Sequence, residues 1–178
     1  MGGAQFRALN AIASALAPEF PNATFSTLAY HGTREPPKNL KFHSSVMVRV
    51  CIDSVDPSVP LTHARNEEWA ARLTHWTSAA KVWVWDYVTR DTPNLAPDPT
   101  YLNIGPNREF LSDVGVRGYY ADATADVGQD MSELKLYLVG RKSLEPDLNT
   151  SALIERFTHS FYGAAAAPLV REYLGQMA

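Results

Sequence analysis

Asp86 stands in an unusual setting. It lies within Val82-Trp83-Val84-Trp85-Asp86-Tyr87-Val88, a run of valines and aromatics. A carboxylate in such a run is costly to bury unless it is paired or hydrogen-bonded. Alternation along an extended chain sends Val82, Val84 and Asp86 to one face and Trp83, Trp85 and Tyr87 to the other. Aromatic rings beside a carboxylate suit a sugar. The rings pack on the C–H face of a pyranose, while the carboxylate accepts hydroxyl hydrogen bonds or stabilises cationic charge. The plainer alternative makes Asp86 a loop cap and the tryptophans core residues.

Other polar and aromatic residues stand where apolar runs end. Tyr30, His31 and Arg34 follow one such run, with Pro36-Pro37 stiffening the chain behind them. Asp53 follows a second run, and Tyr120 with Asp122 closes another. Asp just after a strand is also a common turn residue, so Asp53 and Asp122 carry less weight than Asp86. Together with Trp85 and Tyr87 these residues form the candidate substrate-binding set, and Asp86 is the candidate catalytic residue. The chain has no Gly-rich phosphate loop, no Gly-x-Ser-x-Gly elbow, no His-Glu-x-x-His and no Cys-x-x-Cys. Its histidines are scattered without ligand spacing, so neither a metal nor another cofactor is expected.

The elements that must position these residues are legible from periodicity. Phe6, Leu9, Ala13, Leu16 and Phe20 give one apolar helix face, with Pro21 as the expected stop. Strands are expected at 24–30, 46–52, 82–88 and 116–121. Asn66 is placed to cap a helix burying Trp69, Leu73 and Trp76, with Glu67 and Glu68 at its positive end. A short helix is expected from Pro106 to Val114, stopped by Gly115. Asp130 and Glu133 have capping-box spacing before another helix. Two last helices, about 150–162 and 168–177, are separated by Gly163.

Strands alternating with helices imply a parallel sheet. Connections from helix to strand are short, whereas those after strands are long. Ligands in such folds sit beyond the carboxyl ends of the strands, and long loops are usually functional. The asymmetry points to a binding face at that end.

The 178 residues are 46% apolar, enough for a core in one domain spanning 1–178. A net charge of −3 with unclustered basic residues argues against a nucleic-acid partner. No apolar run approaches the ~18 residues of a membrane span. Residues 1–6 lack the pattern of a signal peptide, and Cys51, the only cysteine, forms no internal disulfide.

Three segments carry a family resemblance. Thr27-Leu28-Ala29-Tyr30-His31-Gly32-Thr33-Arg34-Glu35-Pro36-Pro37 resembles the "LAY…T…PP" element of the domain of unknown function 4838. Trp76 followed by Val82 to Val88 resembles its aromatic-V-W-D-Y element, and Phe157 through Phe161-Tyr162-Gly163 its "F…YYG" element. Leu144-Glu145-Pro146-Asp147 departs from the pattern, which commonly has Trp before the Pro-Asp turn. That family is similar to sugar-cleaving barrels of the β-hexosaminidase and α-glucuronidase kind. The resemblance implies an α/β fold, a partial (β/α)8 TIM barrel with about four parallel strands, the fifth to eighth, and flanking helices. It implies a carbohydrate-active, glycoside-hydrolase-like domain whose catalytic acid lies upstream, and it leans towards a secreted protein. The alternatives are a non-catalytic carbohydrate-binding module or a truncated chain without activity of its own. Expected partners are a carbohydrate ligand, the missing N-terminal barrel half, or a second copy joined through open sheet edges.

Overall fold

The computed structural model describes residues 3–89, 97–123 and 129–177. The centres of two long post-strand loops, 90–96 and 124–128, lie outside the described residues. The order is α1 (Gly3–Leu16), β1 (Phe25–Ala29), β2 (Val46–Ile52), α2 (Glu67–Ala79), β3 (Lys81–Tyr87), α3 (Tyr101–Asp113), β4 (Gly118–Asp122), α4 (Ser132–Leu144) and α5 (Thr150–Gln176). The four strands form one parallel sheet in the order β1-β2-β3-β4, flanked by helices, as in a segment of an α/β barrel. β1 and β4 are its edges.

Residue contacts divide the chain into two compact units. The first comprises the described parts of 1–55, 67–86 and 111–120, the second those of 56–66, 87–110 and 121–178. The first unit holds most of the sheet. Register pairs Thr27 with Val48 and Val48 with Val82, and pairs Val50 with Val84. One sheet face is therefore a valine layer, and Val48, Val50 and Val84 are fully buried. α1 lies on this face, where Gln5 Nε2 donates to Thr27 Oγ1 at 2.7 Å. Phe6, Phe42 and Trp76 meet edge-on or tilted, with centroids 5.4–6.0 Å apart. Such ring pairs add about 1 kcal/mol each beyond area burial. Leu73 and Trp76 of α2 are completely buried, as the apolar spacing predicts.

The opposite face carries Leu28, Arg49 and Trp83 in one register row, with Met47 and Cys51 alongside. Leu28, Trp83 and Tyr120 are 39%, 40% and 46% exposed. A Cβ on Gly118 would collide with the Trp83 indole, so the glycine admits the ring across the β3–β4 pair.

Several element ends differ from expectation. α1 stops at Leu16 rather than Phe20, because Pro18 disfavours helical geometry in the residue before it. Phe20 is left half exposed. α3 begins at Tyr101 and carries Pro106 inside it. Gly115 follows with φ +87°, the left-handed stop that the sequence predicts. Gly163, at φ 81° and ψ 163°, breaks α5, so the second segment starts well before Pro168.

In the second unit, Asn66 ties down its preceding loop instead of capping a helix. Its Oδ1 accepts from Asp56 N at 2.8 Å, and its Nδ2 donates to the carbonyls of Asp56, Val59 and Pro60. The Asp130–Glu133 capping box does not form. Met131 sits at the helix start with φ 52°, and Asp130 accepts from Asp98 N and Tyr173 OH. Two lysines of α4 are buried with partners. Lys135 meets Asp98 at 2.8 Å. Lys142 meets Glu109 at 2.7 Å and also donates to the carbonyls of Pro146 and Leu148.

Candidate functional site at the carboxyl ends of the strands

Within the first unit, the chain leaving β1 turns at once into a single 3-10 turn, His31–Thr33. Thr33 Oγ1 closes it by accepting from Tyr30 N at 3.0 Å. His31 takes φ +46°, a left-handed conformation unusual for a side-chain-bearing residue. The result is an exposed imidazole packed edge-on against Tyr30, centroids 3.8 Å apart.

Arg34 follows and reaches the strand next door. Its Nη2 donates to both oxygens of Asp53, at 2.8 and 2.9 Å. His31 Nδ1 lies 4.0 Å from the same carboxylate. The Asp53 side chain is only 10% exposed, and Arg34 is the partner of both its oxygens. The arginine is itself held in place. Its carbonyl accepts from Trp76 Nε1 at 2.8 Å, and its guanidinium lies 5.3 Å from the Trp69 ring. Arg72 covers the same ring at 4.5 Å and donates to Glu35 at 2.6 Å.

The ends of β3 and β4 supply the other half of the site. Trp85 and Tyr120 meet on the open sheet face, centroids 4.2 Å apart and tilted by 43°. Cys51 is the register partner of Trp85. Burial, reinforced by the Asp53 charge, pushes its thiol up to about 11, so it stays protonated and is no nucleophile at neutral pH. Asp86 is the register partner of Ile52 and leaves the strand on the valine face. Tyr119 OH donates to Asp86 Oδ2 at 2.5 Å.

The structure thus brings Tyr30, His31, Arg34 and Asp53 together at the ends of β1 and β2, and sets Trp85 against Tyr120 at the ends of β3 and β4. Asp86 sits beside them in sequence but on the other sheet face. Tyr87 and Asp122 belong to the second unit. Tyr87 is half-buried there, and the Asp122 carbonyl accepts from Val88 N at 3.0 Å and from Thr89 N at 3.4 Å. Trp69, Trp76 and Tyr119 are parts of the site that sequence reading left out or assigned to the core. The signal for Tyr119 was its place between Gly118 and Tyr120, where alternation sends it to the face of Asp86. No group of metal-ligating side chains occurs among the described residues, and no described helix is long and apolar enough to cross a membrane.

These features define an α/β protein built on a sheet of four parallel strands flanked by helices. The model of the family described as Domain of unknown function (DUF4838) matches residues 1–175, and the chain belongs to that family. Neither the curated proteins nor the solved structures gave a match.

Proposed function

We propose that the chain is a carbohydrate-handling segment of a glycosidase-like barrel. The saccharide seats on the open sheet face at the carboxyl ends of the strands. The observation that carries this reading is the Trp85–Tyr120 pair, two rings on a solvent-accessible face with Tyr120 46% exposed. Apolar ring faces beside polar groups are what a pyranose needs, because its C–H patches pack on rings while its hydroxyls hydrogen-bond. Tyr30 and His31 offer exposed polar groups on the neighbouring strand ends, and Arg34–Asp53 fixes the loop that carries them.

In this reading the rings of the open face hold the sugar, Asp86 acts as the chain's catalytic carboxylate only by reaching round the end of β3 from the valine face, and the second acid comes from the other half of such a barrel. A glycosidase of the usual kind needs two carboxyl groups roughly 5–10 Å apart. A specific observation favours the alternative, a non-catalytic carbohydrate-binding module. Asp53 already holds Arg34 through both oxygens, and Asp86 already accepts from Tyr119. Calorimetric titration of the full chain with a panel of neutral and acidic oligosaccharides tests binding, and aryl-glycoside hydrolysis tests catalysis. Binding without hydrolysis selects the module. Binding to no saccharide, or binding unchanged by Tyr120→Ala, overturns both readings.

A further inference from the structure

The first unit has a second concavity at the opposite end of the sheet, where strands begin. It encloses about 390 Å³ between the loop before β2, the last turn of α2, and the starts of β3 and β4. That volume lies within the range of small-ligand sites, about 300–1,000 Å³. We propose that it binds a small oxyanion carried on a hydroxylated body, that is, a phosphorylated or sulfated monosaccharide. This goes beyond the carbohydrate reading above and does not depend on it, since no residue is shared.

The positive side of the cavity comes from Lys81 and Arg117, with the His43 ring beside them, and its lining includes no Asp or Glu. Lys81 is the first residue of β3, and its Nζ donates to the Ser44 carbonyl at 2.5 Å. That bond uses one of three ammonium donors. Arg117 is anchored through its backbone, whose N–H donates to the Val82 carbonyl at 2.8 Å, while its side chain is exposed. His43 is oriented by Asn10, whose Oδ1 accepts the His43 N–H at 3.0 Å. Its Nδ1 accepts from Ser45 N at 3.2 Å. The same Nδ1 lies 2.7 Å from Ser45 Oγ, so Ser45 fixes the ring at the cavity wall. Lys81 and Arg117, from separate segments, thus line one cavity with cationic donors, and a tetrahedral oxyanion is the group that accepts several donors from different directions.

The other wall sets the rest of the ligand. The last turn of α2 lines the cavity through residues 77–80. Thr77 and Ser78 turn their hydroxyls back to the carbonyls of Thr74 and His75. The last carbonyls of a helix have no amide partner within it, and they form its negative end. A bare anion is repelled by that wall. A ligand with hydroxyl donors on one side and an anion on the other satisfies both walls, so a sugar ester should bind more tightly than either half alone.

Calorimetric titration of the full chain with glucose 6-phosphate, glucose 6-sulfate, glucose and inorganic phosphate tests this. At least one ester should bind about tenfold more tightly than glucose or inorganic phosphate, and the tighter ester identifies the oxyanion. Arg117→Ala should weaken that ester at least about fivefold without moving the melting temperature, since the side chain is exposed, and Arg117→Lys should recover part of the loss. Tyr120→Ala should leave the ester's affinity unchanged. No binding of either ester, equal affinity for ester and inorganic phosphate, or an affinity indifferent to Arg117→Ala overturns the proposal.

Discussion

Arg34 meets Asp53 with one guanidinium nitrogen against both carboxylate oxygens, at 2.8 and 2.9 Å, across the ends of two neighbouring strands. The side chains are 28% and 10% exposed, so the pair lies between a surface bridge, worth at most ~1 kcal/mol, and a buried one whose breakage costs ~3–5 kcal/mol. Arg34→Ala should therefore destabilise by about 2–3 kcal/mol, because it strands the Asp53 carboxylate. Arg34→Ala combined with Asp53→Ala should be less damaging than the sum of the single changes. Denaturant melts of the four proteins in the cycle give the coupling. Additive losses would show that the pair does not stabilise the fold.

Gly118 and Trp83 offer a packing test on the open sheet face. A Cβ on Gly118 overlaps the indole, so Gly118→Ala should cost about 1–3 kcal/mol as an overpacked contact. In a Trp83→Ala background the same change should cost little, because the ring that it displaces is gone. A full cost in both backgrounds would locate the glycine's role in the backbone instead.

Alkali should weaken the first unit through Cys51. Its thiol is pushed from 9.0 up to about 11, chiefly by burial and secondarily by Asp53. A raised folded-state value means that the unfolded chain releases this proton first. The contribution is complete below pH 9 and is lost as pH rises towards 11. The loss amounts to about 2 kcal/mol by linkage. Cys51→Ala should flatten this part of the pH–stability profile. Tyr101 in the second unit, pushed up to about 12 mainly by burial, adds a separate loss that begins near its ordinary 10.0 and survives the Cys51 change. A profile identical in wild type and Cys51→Ala would contradict the burial of the thiol.

Much of the fold is legible because its signals are local. The β2 run is apolar at every position but Arg49, as suits a central strand with most of both faces buried, and its ends are found at 46 and 52 as expected. Trp69, Leu73 and Trp76 fall on one helical face and are all buried. The misplaced ends are those where a polar residue has two uses. Asn66 and Asp130 look like helix caps, but each serves a more distant backbone group. Competition between a local cap and a long-range partner leaves no trace in spacing. Lys142 is the extreme case. A lysine on a helix reads as a solvated charge, yet it is fully buried, because the distant Glu109 and the carbonyls of Pro146 and Leu148 just past the helix converge on it. At the site, the residue types at strand ends were legible, including Tyr30, Asp53 and Trp85. Their pairing was not, because Arg34 with Asp53 and Tyr119 with Asp86 depend on which strands are neighbours.

Asp86 separates a functional carboxylate from a structural one. Alternation and register place it on the valine face, where Tyr119 donates to it. The carbohydrate reading expects Asp86→Asn to abolish saccharide binding or cleavage while leaving the melting temperature nearly unchanged, since the amide oxygen can still accept from Tyr119. Tyr119→Phe is the companion variant. It removes the hydrogen bond to Asp86 but leaves the Trp85–Tyr120 rings in place, so binding carried by the rings should persist while any contribution of Asp86 weakens. Tyr120→Ala should lower affinity by about 1–3 kcal/mol, the scale of a lost ring contact in an aromatic platform. Titration calorimetry and thermal melts on the three variants decide the matter. A large drop in melting temperature for both Asp86→Asn and Tyr119→Phe, with saccharide affinity intact, would make Asp86 a structural carboxylate and leave the rings of the open face as the whole of the site.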